Sequence, residues 1–235
     1  MTKSLASPRE HRASRNRCTE CATRMHCFVG SVPKAAAVIG PLVRERSSQQ
    51  GEMIARQGDR DSVFKVIKIG TVVVCRNDAG GVPRPVGFAT RGTVFGIVSY
   101  MGQPNMLSVV AASSARYCEI AADTVRLLER DDEAVRQGLG KVYMDNMLTA
   151  VKWTAVVGRK GVVSQVAGVL ELLAEQESST SISIPTHTAM AQLIGTTRES
   201  VARALTTLEK SGGLQKISQR RCSIHPQLLS QWESK

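Results

Sequence analysis

The chain has 235 residues, a formal net charge of +11 and a pI near 9.8. This length supports one large domain or two smaller ones with proper cores, and the charge suits a polyanionic partner such as nucleic acid, although a solvated basic surface gives the same number. No run approaches the eighteen or so apolar residues of a membrane span, and the opening MTKSLASPREHRASRNR lacks the apolar core of a signal peptide, so a cytoplasmic protein without a membrane partner is expected.

Residues 1–29 read as a basic arm followed by a cysteine cluster. Lys3, Arg9, Arg12, Arg15 and Arg17 stand among almost nothing apolar, which predicts a disordered or loosely docked arm able to touch DNA phosphates or simply to solubilise. Cys18, Cys21 and Cys27 then form the pattern C-x2-C-x5-C. In a reducing compartment thiols this close are metal ligands or reactive groups before they are disulfides, and soft thiolates select zinc or iron–sulfur clusters. A fourth ligand is then needed: His26 serves zinc most simply, whereas a cluster needs a further cysteine from Cys75, Cys118 or Cys222. Cys75, in TVVVC, reads as a core strand residue, and Cys222 falls in a C-terminal hairpin. Three other uses of the cysteines stay open. They are a thiol redox switch, a haem site with Cys75 as axial ligand but no nearby histidine, and a CxxC oxidoreductase on Cys18 and Cys21, which would want a thioredoxin-like βαβ context. No paired carboxylates, Ser-His set or phosphate loop stands out, so a protein that is not an enzyme is expected.

Residues 30–122 are expected to form a β-roll of the jelly-roll type. From about Leu42 to Ala121 short β-rich runs alternate with corners at Gly51, Gly58, Gly70, Gly80 with Gly81, Gly87, Gly92 and Gly96, the text of a double-sheet roll rather than a parallel α/β sheet. Residues 123–158 contain no proline and repeat with helical period, with Asp131, Asp132 and Glu133 near a plausible helix start. Tyr143, Met147, Ala150, Thr154 and Val157 recur at alternating steps of four and three, the seam of a coiled coil, which predicts a homodimer along this helix. The alternative is that this stripe packs on the subunit's own roll, a place the adjacent stripe Met144, Leu148 and Val151 could also take, so both arrangements can hold together.

Residues 159–235 read as a winged helix–turn–helix. A helix over Val162–Glu177 presents Val163, Val166, Ala167, Leu170 and Leu173 on one face, and a polar SST loop follows. In THTAMAQLIGTTRESVARALTTLEKSGGL, Met190, Leu193 and Ile194 face the helix that carries Val201, Leu205 and Leu208, with Gly195 at the turn. The opposite face opens with Thr196, Thr197, Arg198, Glu199, Ala202 and Arg203, where a recognition helix meets base edges. Arginine bonds guanine bidentately and glutamate accepts from a cytosine amino group. A blander account makes Thr196 to Glu199 a capping box with Arg203 paired to Glu199. LQKISQRRCSI predicts a hairpin wing with Lys216, Arg220 and Arg221 near the phosphate backbone. The fold class is thus α+β: an N-terminal roll, a long dimerisation helix and a C-terminal DNA-binding domain.

The run TH..MA.LIGTTRESVAR resembles, nearly residue for residue, the reader helices of the cyclic AMP receptor and fumarate-nitrate regulator superfamily of bacterial transcription factors. GEMIARQGD and KIGTVVV are similar to phrases of its sensor roll. The spacing of Cys18, Cys21 and Cys27, followed roughly ninety residues later by Cys118, resembles the fumarate-nitrate branch. That resemblance implies a [4Fe-4S] cluster held by these four cysteines and labile to oxygen or nitric oxide. It further implies a homodimer bound to a palindromic double-stranded DNA site, with RNA polymerase as a further partner. Closing the loop from the arm to Cys118 would then be worth about 4 to 5 kcal/mol by the loop-closure relation.

Three departures qualify the resemblance. The cyclic AMP branch grips its nucleotide with a Gly-Glu pair and a nearby arginine, whereas Phe95, Gly96, Ile97, Val98 and Ser99 offer no glutamate and no arginine follows through Val110, so no cyclic nucleotide is expected. In the fumarate-nitrate branch a carboxylate on the dimer helix can oppose pairing until the cluster assembles; from Asn146 to Gly158 there is none, so a dimer less dependent on the cluster is expected. Arg198 before Glu199 and Ala202 before Arg203 look like the cyclic AMP branch, implying a half-site closer to TGTGA than to TTGAT.

Overall fold

The computed structural model describes residues 9–10, 18–21, 23–218 and 220–232. Its strands are β1 (Arg9–Glu10), β2 (Arg44–Ser48), β3 (Met53–Ala55), β4 (Val63–Ile69), β5 (Val72–Asn77), β6 (Pro83–Ala89), β7 (Val94–Phe95), β8 (Ser108–Ala111), β9 (Ala115–Ala121), β10 (Ser181–Ser183), β11 (Leu214–Ser218) and β12 (Arg221–Ile224). Its α-helices are α1 (Pro33–Ile39), α2 (Ile97–Tyr100), α3 (Ala122–Asp131), α4 (Glu133–Val157), α5 (Val162–Glu177), α6 (His187–Ile194), α7 (Arg198–Lys210) and α8 (Pro226–Leu229). The chain divides into two compact units, one of Met1–Val72 with Thr90–Leu148 and one of Val73–Ala89 with Thr149–Lys235.

The first unit is built on an antiparallel sheet in the order β1-β2-β9-β4-β7, with β3 paired to β8. Its strands bury Phe64, Val66, Val94 and Ile120 against Phe28, Val29 and Ile39 from the N-terminal segment and against Val125, Val135, Leu139 and Val142 from α3 and α4. Of the basic arm, Arg9 and Glu10 pair with Ser47 and Arg46. Lys3, Arg12, Arg15 and Arg17 lie outside the described residues.

Two features of the helical region differ from the sequence reading. The single helix expected over 123–158 is two, because Asp132 adopts an extended conformation and its Oδ1 accepts from Ala134 N at 2.9 Å, capping α4. The stripe Met144, Leu148 and Val151 does not face the roll; all three are exposed. The inward stripe is Val135, Leu139, Val142 and Asn146, whose Nδ2 donates to Val94 O at 2.9 Å. Met144 stands about 200° around the helix from Val142, which puts it on the outer side.

In the second unit the hairpin β5–β6 is turned by Asp78, whose Oδ1 accepts from Gly80 N at 3.0 Å and Val82 N at 2.9 Å. Trp153 of α4 donates to Phe88 O at 3.0 Å and meets the Phe88 ring edge-on at 5.6 Å. α5 buries Val166, Ala167, Leu170 and Leu173 as its pattern predicts, and Val169 and Leu172 besides, so it is enclosed on more than one side. The sheet β10-β12-β11 completes the winged domain; β10 follows the polar SST loop and was not read from sequence.

Candidate metal centre and nucleic-acid interface

Consecutive tight turns fold the cysteine segment. Cys21 N donates to Cys18 O at 3.4 Å, Arg24 N to Cys21 O at 3.0 Å and Cys27 N to Arg24 O at 3.1 Å. Phe28 and Val29, 7% and 1% exposed, then anchor the segment in the roll's core. Two glycines mark where backbone meets backbone. A Cβ on Gly30 would stand 2.9 Å from Arg24 Cα, and one on Gly92, where φ is +89°, would stand 2.5 Å from His26 O. Cys118 comes from β9, with Glu45 of β2 as its partner on one side and Val66 of β4 on the other.

The outcome is one pocket lined by Cys18, Cys21, Cys27 and Cys118 together with His26 and Lys68, enclosing about 410 Å³ of empty space, part of it open solvent. All six cysteines are free; Cys75 and Cys222 are buried in the second unit. Among the described residues no three His, Cys, Asp or Glu side chains converge closely enough to hold a single metal ion.

Burial dominates the electrostatics of the pocket. It pushes the Cys18 thiol up to about 11, with Cys27 and Cys21 adding to the rise, and the Cys118 thiol up to about 12, against the lowering influence of Lys68. Cys27 is also raised, chiefly by burial. His26 is lowered by burial and by Arg91. Lys68 runs the other way: burial lowers it, but its hydrogen bond to Glu45 Oε2 at 2.7 Å and the thiols of Cys118 and Cys21 outweigh that, so its ammonium is held above the ordinary range. Lys68 and Glu45 are additions to the site that no motif in the sequence marks. The available signal was the period of two in β4, which puts Lys68 on the same face as Phe64 and Val66.

The reader pair is capped at both starts. Thr186 Oγ1 accepts from Ala189 N at 3.1 Å to open α6, and Gly195 closes it at φ 68°. The capping box of the blander account is not formed at Thr196: Thr196 N donates to Ala191 O at 2.9 Å, and Thr197 is the N-cap of α7, accepting from Ser200 N at 3.2 Å. Arg203 donates to Ser200 Oγ at 3.1 Å rather than pairing with Glu199. Val201, Ala204, Leu205 and Leu208 are buried, while Arg198, Glu199 and Arg203 are exposed and Ala202 and Thr196 half-buried. Glu199 is therefore not consumed by capping and stands at the surface beside both arginines.

His187 at the start of α6 is lowered by burial and then by the charges of Arg198 and Lys216. In the wing, Lys216 pairs with Glu209 at 2.8 Å and Arg221 donates to Ser181 Oγ at 3.0 Å, while Arg220 is exposed. On α4, Tyr143, Met147, Ala150, Thr154 and Val157 are all exposed, Met147 by 63%. Among the described residues no helix is long and apolar enough to cross a membrane.

Comparison with known proteins agrees with both halves of this architecture. A family model for the cyclic nucleotide-binding domain matches residues 45–132, and one for the Crp-like helix-turn-helix domain matches residues 164–229. A probable transcriptional activator of Rhizobium leguminosarum bv. viciae is 24% identical over 208 residues, covering 83% of each chain. Among solved structures, FixK2 from Bradyrhizobium japonicum superposes with a TM-score of 0.70 at 19% identity, covering 82% of this chain and 98% of that one. A transcriptional regulator of the CRP family from Thermus thermophilus, TTHB099, gives 0.64 at 16% identity, covering 80% and 96%. With roll and reader both matched and together spanning well over half of its length, the chain belongs to the cyclic AMP receptor and fumarate-nitrate regulator superfamily of DNA-binding transcription regulators.

Proposed function

We propose that this regulator is a homodimer whose DNA binding is governed by a [4Fe-4S] cluster held by Cys18, Cys21, Cys27 and Cys118. The observation that carries the reading is the single pocket lined by these four thiols beside the cation Lys68. Four thiol donors fit a cluster ligated entirely by cysteine, and His26 at the rim keeps zinc as the alternative occupant. When bound, the cluster supplies iron that oxygen or nitric oxide can attack. The protein's part is to give up the thiol protons and hold the segment 18–27 against β9. A bare thiol switch or a CxxC oxidoreductase fits less well, because reactive thiols are depressed in pKa whereas Cys18 and Cys118 are raised to about 11 and about 12.

A cyclic nucleotide fits poorly as the ligand. Ile97 follows Gly96 into the hydrophobic core. Lys65, the cross-strand partner of Phe95, is buried and already engaged by Asp61. On the DNA side, Arg198 and Arg203 would meet guanines and Glu199 a cytosine in a half-site like TGTGA. Thr196, Thr197, Lys216, Arg220 and Arg221 would hold phosphates. The exposed stripe Tyr143, Met147, Ala150, Thr154 and Val157 would pair two subunits so that their readers enter successive major grooves of a palindrome, about 34 Å apart. Functionally the chain then divides into arm and cysteines (1–29), roll (30–122), dimerisation helix (123–158) and reader (159–235), acting in the cytoplasm with RNA polymerase as the further partner.

The test is an anaerobic absorption spectrum with iron, sulfide and zinc quantified, repeated after exposure to air, on the wild type and Cys118→Ala. A brown protein with about four iron and four sulfide per chain, bleached by air and colourless in the variant, is expected. A colourless wild type containing stoichiometric zinc would replace the cluster by a zinc site.

A further inference from the structure

Residues paired across a sheet share a face, as do residues two apart on a strand. Glu45, Cys118 and Val66 form such a cross-strand row, and Lys68 stands two residues beyond Val66, at the point where the β4–β9 register shifts between Ile67 and Ile69. Lys68 lines the cysteine pocket, and its ammonium is fixed by Glu45 at 2.7 Å; Glu45 is held in turn by Arg116 at 3.3 Å. The lysine and glutamate side chains are largely buried, 19% and 13% exposed, so their charges act with little screening.

We infer that Lys68, held in place by Glu45, is the fixed counter-charge of the metal centre and sets how easily that centre is oxidised and lost in air. The inference rests on the cluster reading above. A [4Fe-4S]²⁺ core with four thiolates carries a net charge of about −2. One-electron oxidation makes the centre less negative, so a neighbouring cation opposes it and raises the midpoint potential, while a neighbouring anion does the reverse. Lys68 and Glu45 flank Cys118 with opposite signs, and their removal must therefore act in opposite directions. Arg24 and His26 also line the pocket, but both belong to the cysteine segment itself, where the Arg24 guanidinium donates to Thr19 O at 3.0 Å, whereas Lys68 comes from β4 of the roll.

The test uses full-length protein loaded anaerobically with ferrous iron and sulfide, comparing wild type, Lys68→Met, Lys68→Arg and Glu45→Gln. The readouts are the decay of cluster absorbance on mixing with air-saturated buffer and the midpoint of the oxidation couple. Lys68→Met keeps the aliphatic stem and loses the charge; its decay should quicken roughly tenfold, the low end of the usual effect of altering a residue next to the ligands, with a lower midpoint. Lys68→Arg should stay near the wild type. Glu45→Gln should decay more slowly with a raised midpoint. General loosening of the pocket would quicken decay in both neutralised variants, so a shared direction, or no change in either, overturns the inference. If Lys68→Met cannot be loaded, the slower decay of Glu45→Gln still decides. A wild type that takes up no iron and sulfide overturns the cluster reading itself, a different result from a loaded wild type whose variants behave alike.

Discussion

Phe28 follows Cys27 directly, and its replacement by alanine tests whether the protein presets the metal ligands before any metal arrives. The ring is 7% exposed, lies 5.8 Å from the Phe64 ring at an interplanar angle of 55°, and shares a core with Val135 and Leu139. Truncating a buried phenylalanine costs about 3–5 kcal/mol, of which the aromatic pair accounts for roughly 0.5–1.5. Val29, buried beside it, remains in place, so the expected loss is near the lower bound, about 3 kcal/mol. Anaerobic urea denaturation of the metal-free protein, followed by circular dichroism and by Trp153 and Trp232 fluorescence, measures that loss. Iron and sulfide content after reconstitution measures the consequence. Phe28→Ala should be less stable by about that amount and take up far less iron, because Cys18, Cys21 and Cys27 are no longer held opposite Cys118. A cost under about 1 kcal/mol, or wild-type iron content, would refute the idea that the core holds the ligand segment ready.

Arg198→Ala should weaken DNA binding by about 1–3 kcal/mol and relax discrimination at one base position; a loss equal on all sequences would make Arg198 a phosphate contact. In the same variant the His187 titration, read by NMR, should move up toward its ordinary value, since Arg198 contributes to its lowering; an unmoved titration would place the arginine elsewhere. Met147→Asp should shift the protein toward monomer in sedimentation at micromolar concentration, because the exposed stripe of α4 would bury two facing carboxylates. Metal-free wild type should remain dimeric under the same conditions, and a purely monomeric result would overturn the expectation drawn from the missing acids between Asn146 and Gly158. Gly92→Ala should lower iron content while the protein still folds, since the added methyl meets His26 O at 2.5 Å and must push the cysteine segment away from the roll.

The parts of this molecule visible in its sequence are those in which one physical requirement leaves a periodic or spaced trace. The reader pair was legible because burying Met190, Leu193, Ile194, Val201, Leu205 and Leu208 on one side imposes a helical period broken by a left-handed glycine at 195. The cysteine pocket was legible through the C-x2-C-x5-C spacing, but its partner Cys118 only through family resemblance, since a lone half-buried cysteine in a strand looks like any small core residue. α1 went unread because KAAAV offers no contrast between faces. The break at Asp132 was visible as acids near a helix start, yet not the fact that another helix ends on the first of them, Asp131. Thr196 and Thr197 are equally good caps by composition, and only the backbone bond from Thr196 N to Ala191 O decides between them. Lys68 hides because a lysine at the end of a strand is ordinarily solvated; its partner Glu45 is 23 residues away in sequence and meets it only through the sheet.

The structure also changes the arithmetic of the switch. A loop of roughly ninety residues closed by the metal would contribute about 4 to 5 kcal/mol, but only if the arm swung free without it. Phe28 and Val29 already bind the segment to the core, so the metal has only the ten residues Cys18–Cys27 left to order, worth about 2–3 kcal/mol by the same relation. Moving a two-state equilibrium from 1:99 to 99:1 takes about 5.5 kcal/mol, so ordering the segment supplies about half. The remainder must come from contacts that differ between the loaded and empty states. The available contacts are specific: Cys18, Cys27 and Cys118 pack on the same core cluster as Phe28 and Val29, and that cluster includes Val135, Leu139 and Val142 on the inner side of α4. The outer side of the same turns carries Tyr143 and Met147. A packed core transmits displacement rather than absorbing it, so a change of ligation that moves Phe28 also moves the first turns of the pairing helix. Under the proposed function, control of DNA binding would then rest on where α4 holds its exposed stripe, and less on how tightly the N-terminal arm is tethered.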